Sequence, residues 1–322
     1  MPLTANELRT RNKNSVRGYV QIARIDHWAK NVFVLPGSLV ALSIDPGLFR
    51  RLDAFSVVLG LLAVCLITSS NYVLNEILDA PSDRFHPIKA SRPVPSGRVS
   101  VPGAYVEWLV LVAAGLGLAS CVSTPFMLVL GALWMAGCAY NVPPVRTKDV
   151  PYLDVLSEAI NNPLRMLAGW YLTQTSAVPI TSLLLSYWMV GCYFMAIKRY
   201  AEFRELDSAQ LVDYRRSFRY YSERSLLTSI LFYGSHAMLF FGAFIARYRV
   251  ELILSFPLVG LVMALYFWLA FRDNSPVQHP EGLYREPLII GPVGLCALVM
   301  SVLLFVDVPF LHSVFAPTKV GF

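Results

Sequence analysis

The sequence predicts an all-α, polytopic membrane protein of about nine transmembrane helices. Three observations carry that prediction. Hydrophobic residues make up 56% of the 322, and Asp, Glu, Lys and Arg only 15%, against roughly 25% charged residues in soluble domains. Several apolar runs reach the roughly 20 residues that a helix needs to cross a bilayer. The lysines and arginines gather between those runs, with Arg165 the exception. This composition excludes a disordered chain, a disulfide scaffold and an ordinary soluble enzyme. It favours a single membrane domain over 1–322.

The first run, 31–45, has an amphipathic lead-in that begins near residue 20. Ahead of it, residues 1–20 form a polar segment without the apolar stretch of a cleavable signal peptide. Runs 55–78, 104–122 and 125–141 follow, then 154–172, which carries Asp154, Glu158 and Arg165. The remaining runs are 179–198, 225–246, 250–271 and 288–308. The breaks are charged or rich in proline and glycine, as in Pro93-Val94-Pro95-Ser96-Gly97 and Pro143-Pro144. All five cysteines fall in apolar segments without zinc-type spacing, so they are expected to pack as small apolar residues. His236 is expected to be a hydrogen-bonded packing residue, Glu107 to snorkel, and Asp213–Arg224 to form an interfacial helix.

Alternating the loops between the two sides places 21 cations on the side of the N-terminus and 5 on the other. The rich side holds the N-terminal segment from Arg9 to Lys30, the loop from Arg84 to Arg98, Arg146 and Lys148, the stretch from Lys198 to Arg224, and Arg272 and Arg285. The poor side holds Arg50, Arg51, Arg247, Arg249 and Lys319. The positive-inside rule puts the N-terminus and the charged loops in the cytoplasm, and an odd number of spans leaves the C-terminus outside. The net charge of +6 lies between spans. It points to anionic headgroups or phosphorylated substrates, not to nucleic acid.

The richest stretch runs from Asn71 to Arg84. Asn71, Asn75 and Asp79 are four residues apart, so on a helix they share one stripe. Pro81 should bend or end that helix, and Asp83 should fold back from beyond it. Carboxylates at a membrane-facing helix end are costly unless something cationic matches them. Magnesium suits them, because it takes hard oxygen ligands, usually one or two carboxylates plus substrate phosphates. Bases follow at once in Arg84, His86, Lys89 and Arg92. Acids that hold an ion beside bases that hold free oxygens suit a metal-bridged phosphate ester. The plainer alternative is a surface loop in which acids and bases pair.

Asn75-Glu76-x-x-Asp79-x-x-x-Asp83-Arg84, followed by Lys89-x-x-Arg92-Pro93, resembles the first signature of the UbiA superfamily of intramembrane prenyltransferases. Glu76 stands where that family usually has Asp. The resemblance implies helices around a central cavity, Mg2+ dependence, metal ligands at Asn75, Glu76, Asp79 and Asp83, and polyprenyl substrates that enter from the lipid. Asn75, Asp79 and Asp83 are the catalytic candidates it implies.

The family's second acidic motif is missing after the sixth span. Lys198-Arg199-Tyr200-Ala201-Glu202-Phe203-Arg204-Glu205-Leu206 stands there instead. It resembles the basic segment of one branch, the decaprenyl-phosphate phosphoribosyltransferases. Trp28-Ala29-Lys30-Asn31 resembles the opening of the same branch, and Tyr140 with Lys148 lies near its Tyr/Lys segment. In the fifth span Glu158, Asn162 and Arg165 fall on one helical face. Arg165 either reaches a phosphate or pairs with Glu158, and both roles are compatible.

Two magnesium ions on two acidic motifs would support loss of diphosphate from a prenyl donor. One acidic and one basic motif lean instead to a lipid that is an acceptor and carries a monophosphate. The expected activity is therefore transfer of phosphoribose from phosphoribosyl diphosphate to a polyprenyl phosphate. Lys30, Lys89, Arg92, Arg146, Lys148, Arg165, Lys198 and Arg199 are the candidate phosphate binders, with Tyr140, Asn162 and Glu202 as further substrate contacts. The alternative within enzymes is transfer of a prenyl group from a polyprenyl diphosphate to a small aromatic acceptor. A lipid transporter is the rival of another class, but it predicts paired repeats with broken helices, and none is visible in the sequence. No Ser/His/Asp or Cys/His constellation supports covalent catalysis.

Overall fold

The computed structural model describes residues 15–84, 89–206, 215–278, 283 and 285–315. His86, and Asp213 and Tyr214 of the expected interfacial helix Asp213–Arg224, lie outside the described residues; the rest of that segment is not one helix but a short 3-10 helix, Arg216–Tyr220, followed by the start of the α-helix Glu223–Tyr248. Within the described residues the structure is helical, with no strand. In chain order the α-helices are α1 (Val16–Ile22), α2 (Leu35–Ile44), α3 (Ala54–Asp83), α4 (Val101–Val122), α5 (Thr124–Asn141) and α6 (Leu153–Ala159). They continue as α7 (Asn161–Leu172), α8 (Thr181–Glu205), α9 (Glu223–Tyr248), α10 (Phe256–Leu269), α11 (Pro287–Leu303) and α12 (Pro309–Val314). A 3-10 helix, Ile25–Val34, precedes α2, and another, Val250–Ser255, runs into α10.

Four described helices are long and apolar enough to cross a membrane: Ala54–Asp83, Val101–Val122, Glu223–Tyr248 and Val250–Leu269. The first predicted span, 31–45, begins as a 3-10 helix and is α-helical only over Leu35–Ile44, 179–198 runs on to Glu205, and 288–308 ends at Leu303; two further differences bear on the site. The helix over 55–78 continues through Pro81 to Asp83. Proline removes one N–H donor and crowds one carbonyl, and in the last turn little ladder remains to lose. There the Ser82 hydroxyl donates to the Asp79 carbonyl (2.9 Å) and the Arg84 N–H to Ala80 (3.2 Å). Asp83 therefore belongs to the helix and does not fold back from a loop. The predicted helix 154–172 is instead two helices, α6 and α7. Pro163 cannot donate to the carbonyl four residues before it, that of Ala159, and the Asn161 side chain bonds the neighbouring Glu158 carbonyl at 2.9 Å.

The chain falls into two compact units. Unit 1 comprises Met1–Ser38, Gly47–Lys148 and Leu164–Ser176. Asp53, Ser100 and Ser123 cap the N-termini of α3, α4 and α5 with side-chain oxygens. Helix α3 packs against α4 and α5, around Val64, Ile67, Phe126, Leu130 and Leu133. In lipid, helix association rests on close packing between small residues more than on the hydrophobic effect. Gly37 and Gly169 show it: a Cβ on the first would collide with the Met166 carbonyl, and on the second with that of Val34. The Ser38 hydroxyl bonds the Gly169 carbonyl at 2.8 Å across the same contact.

Unit 2 comprises Leu39–Pro46, Asp149–Pro163 and Ala177–Phe322. Its core joins α6, α8 and α9 through Val155, Cys192, Ala196, Ile197, Leu226 and Ile230. The Trp188 indole donates to the Leu156 carbonyl (2.9 Å) and ties α8 to α6. Asn162 packs its amide over Gly191, where a Cβ would not fit.

Candidate active site

The acidic stripe of unit 1 lies at the end of α3, where Asn75, Asp79 and Asp83 stand at four-residue steps on one continuous helix. Opposite it, α5 ends at Asn141, and the turn that follows brings back Arg146 and Lys148. The Lys148 ammonium donates to Asp79 Oδ1 (2.5 Å), Asn141 Oδ1 (2.9 Å) and Asn75 Oδ1 (3.2 Å). Arg146 donates to the same Asp79 Oδ1 at 3.0 Å and to the Asn141 carbonyl at 3.2 Å. Its backbone sits at φ 24°, sparsely allowed for a residue with a Cβ, and the guanidinium's bonds hold it there. One turn on, Asp83 accepts from Arg92 at 2.7 Å.

Glu76, seven residues before Asp83 on α3, bonds to the following loop and not to Lys148 or Arg146. Buried, it accepts the Val94 N–H at 3.0 Å and fastens the 89–99 loop to α3. Trp28 donates to Ser69 (2.9 Å), and Asn31 to Thr68 (3.3 Å) and Cys65 (3.2 Å), so these two residues moor the Ile25–Val34 helix on α3 with half-buried Lys30 between them. Arg165 donates to Asn31 Oδ1 at 3.2 Å. Tyr140 is half-buried on the last turn of α5, and Lys89 is half-buried in the loop after α3.

Among the described residues, no group of three or more Asp, Glu, His or Cys side chains is arranged to hold a metal. The nest around Lys148 is built differently, from one carboxylate and two amide oxygens. The ammonium stands in for a hard cation, with three side-chain oxygens within 3.2 Å of it. That all-oxygen set, with Asp83 one turn away as a second carboxylate, fits a magnesium-type ion.

In unit 2 the basic motif forms a second cluster. Arg199 is buried and donates to Asp154 (3.2 Å), Glu158 (2.7 Å) and Glu202 (3.0 Å). Asp154 also accepts from Tyr221 (2.6 Å) and Ser217 (3.2 Å), with Arg215 at 3.8 Å. Lys198 stands 4.0 Å from Glu202. Burial pushes the Glu202 carboxyl up, but the charges of Arg199, Lys198 and Arg215 outweigh it and hold it below its ordinary value. Burial, with Asp154 alongside, raises the Tyr221 phenol.

Sequence reasoning missed Asn141, Ser217 and Tyr221. Asn141 had a signal, a polar residue closing an apolar helix just before Pro143-Pro144. Ser217 and Tyr221 had none.

The sequence profile of the UbiA prenyltransferase family matches residues 32–281. Decaprenyl-phosphate phosphoribosyltransferase from Corynebacterium glutamicum is 29% identical over 203 residues, covering 61% of this chain and 58% of that protein. The protein of the same name from Mycobacterium tuberculosis is 31% identical over 199 residues, 59% of this chain and 61% of that one. Nodulation protein NoeC from Azorhizobium caulinodans is 28% identical over 226 residues, 69% of each. The match thus spans about 60% of the length of those phosphoribosyltransferases. Among solved structures, a UbiA homolog from Archaeoglobus fulgidus bound to GPP and Mg2+ superposes with a TM-score of 0.66 at 19% identity, over 88% of this chain and 99% of that one. A UbiA homolog from Aeropyrum pernix K1 gives 0.58 at 17% identity, over 84% and 98%. Fold and sequence agree, and the chain belongs to the UbiA prenyltransferase family.

Proposed function

We propose that the protein is a magnesium-dependent membrane transferase that moves phosphoribose from phosphoribosyl diphosphate to a polyprenyl phosphate, with its site on the cytoplasmic side. The observation that carries this reading is the Asp79 carboxylate held by Lys148 and Arg146 together. Acid and base in such contact suit a metal-bridged diphosphate, and the relatives named as decaprenyl-phosphate phosphoribosyltransferases support the choice of substrates.

Asn75, Asp79 and Asp83 would hold the ion, which when bound supplies charge neutralisation for the departing diphosphate. Lys148 and Arg146 bind diphosphate oxygens, and Arg92 reaches the donor from its place beside Asp83. Lys30, Lys89 and Arg165 are the bases for the lipid phosphate. Glu76 sets the 89–99 loop that presents Lys89 and Arg92. A lipid-phosphate oxygen forms the new bond at ribose C1 while the C1–O bond to diphosphate breaks. The diphosphate leaves with the electron pair, and an ionised phosphate needs no general base. The fixed cations stabilise the charge that develops on the leaving group. Lys198, Arg199, Glu202 and Asn162 act in this reading by positioning, since Arg199 is taken up by three carboxylates.

The second reading is prenyl transfer to a small aromatic acceptor, because the same fold occurs in the Archaeoglobus homolog bound to GPP and Mg2+. Purified protein is incubated with labelled phosphoribosyl diphosphate, polyprenyl phosphate and Mg2+. The expected product is an organic-extractable labelled lipid, lost on chelation with EDTA. No labelled lipid, together with turnover of a prenyl diphosphate, decides for the second reading. Lipid binding without any product decides for a carrier.

A further inference from the structure

We propose that Lys148 is the resident counter-ion of the cation nest formed by Asn75, Asp79 and Asn141, and that a divalent ion binds there only by displacing it toward the substrate's phosphate. This rests on the reading above that the nest is a magnesium site, with the Asn141 oxygen beside those of Asn75, Asp79 and Asp83.

The geometry states the competition. Three side-chain oxygens from α3 and α5 converge on one point, and the Lys148 ammonium fills it at 2.5–3.2 Å. A hard cation selects the same kind of oxygens, so ammonium and metal are alternatives for one place. Asn141 is buried, and its amide nitrogen bonds the Gly137 carbonyl at 3.0 Å, which fixes its oxygen toward the nest. Lys148 itself is largely buried. A lysine driven out of its nest and left without an acceptor there would carry an uncompensated charge.

The charge count then orders the binding. Asp79 already faces two positive charges, Lys148 and Arg146, while Asp83 and Arg92 cancel each other. A divalent ion alone would add its charge beside Arg146 and release the Lys148 ammonium from the oxygens that hold it. A diphosphate brings the missing negative charge and gives Lys148 and Arg146 new acceptors. Metal and diphosphate should therefore bind far better together than either does alone. By reciprocity, the gain that diphosphate gives the metal equals the gain that the metal gives diphosphate. Lys148 makes the site cofactor-poor until the donor arrives.

The test uses full-length protein in nanodiscs, with Mn2+ as the metal probe and inorganic diphosphate as the ligand probe. Binding is read from the loss of the free-ion EPR signal. The wild type should bind Mn2+ weakly, and diphosphate should tighten it. Lys148→Met should tighten Mn2+ binding without diphosphate by roughly tenfold and shrink the gain that diphosphate brings. Arg146→Gln, which leaves the nest itself intact, should move both quantities the same way by a smaller factor, and it serves if Lys148→Met does not fold. Asp79→Asn should abolish tight binding with and without diphosphate. If Asp79→Asn abolishes binding but neither cation variant tightens it, the displacement by Lys148 is wrong and the metal site stands. If Asp79→Asn leaves binding unchanged, the metal reading of the nest fails, and this inference with it.

Discussion

The two charged clusters of this protein are opposites in stoichiometry. In unit 1 one carboxylate, Asp79, holds two cations, Lys148 and Arg146. In unit 2 one buried cation, Arg199, holds three carboxylates, Asp154, Glu158 and Glu202, with Arg215 and Lys198 at the margin, 3.8 and 4.0 Å from Asp154 and Glu202. Access differs as well. The Asp79 and Arg146 side chains keep 22% and 23% of their surface exposed, whereas those of Arg199 and Asp154 keep 1% and 0%, and Glu158, 32% exposed, opens only the rim of the second cluster. An open cluster in which two cations share one carboxylate can take an anion in exchange for an internal bond. A closed cluster whose guanidinium is saturated gains nothing by opening, because breaking one buried pair strands the partner charge. The same residue types thus serve chemistry in one place and architecture in the other.

The sharpest way to break this contrast is to neutralise one member of each cluster. Asp79→Asn should lower turnover by about 10³-fold, equivalent to roughly 4 kcal/mol of activation free energy, while thermal stability falls far less than in the Arg199 variant below, because the amide oxygen that replaces the carboxylate still accepts from Lys148. Activity retained above about a tenth of wild type would move the chemistry elsewhere. Arg199→Met should do the reverse. It leaves three acids around a missing cation, and a broken buried pair costs about 3–5 kcal/mol. The expected outcome is a large drop in Tm and in yield of folded protein. A stable Arg199→Met variant with a raised KM for a phosphate substrate would instead make Arg199 a binding residue.

What the sequence made legible follows the same contrast. The stripe of Asn75, Asp79 and Asp83 was readable because helical spacing alone brings those residues together, and only the end of the helix at Pro81 was misjudged, by two residues. The direction of Glu76 was not readable. It depends on the path of a loop that returns Val94, 18 residues later, to the same helix. Arg199 was visible as part of a basic motif, but its meaning depends on Asp154, 45 residues earlier. Asp154 in turn meets Tyr221, 67 residues on. A local pattern shows which charges exist, and only tertiary packing shows which are already spent. The break between α6 and α7 lay in plain view at Asn161-Asn162-Pro163, because proline that soon after two asparagines is a helix start as much as a helix interior.

A smaller effect sharpens the closed cluster. Tyr221 donates to Asp154 at 2.6 Å and accepts the Tyr152 N–H at 2.7 Å. Tyr221→Phe removes both bonds and keeps the ring. The loss of a hydrogen bond to a buried charge predicts a cost of about 1.5–3 kcal/mol, read as a lower Tm at neutral pH. The wild type should also lose stability above the ordinary tyrosine range, where the unfolded phenol ionises and the raised folded one does not. Tyr221→Phe should remove part of that alkaline loss. An unchanged alkaline limb would show that the Tyr221 hydroxyl is not held as the coordinates place it.

The mildest perturbation is acid. Glu202 lies beyond the apolar span on α8, and its carboxyl is held below its ordinary value of 4.5 because Arg199, Lys198 and Arg215 outweigh its burial. A depressed folded value means that the unfolded state takes up protons first. The contribution of Glu202 is therefore complete above the unfolded value and declines as pH falls through it toward the folded one. Thermal stability should be level from pH 7 to about 5 and then decline. Glu202→Gln should start from a lower Tm at pH 7 and show a shallower decline. The two curves should converge at low pH, since protonated Glu and Gln are near isosteres. Parallel curves would mean that the acid-sensitive group is another carboxylate. The low-pH behaviour of unit 2 would then have to be sought at Asp154 or Glu158, the other acids on the same guanidinium.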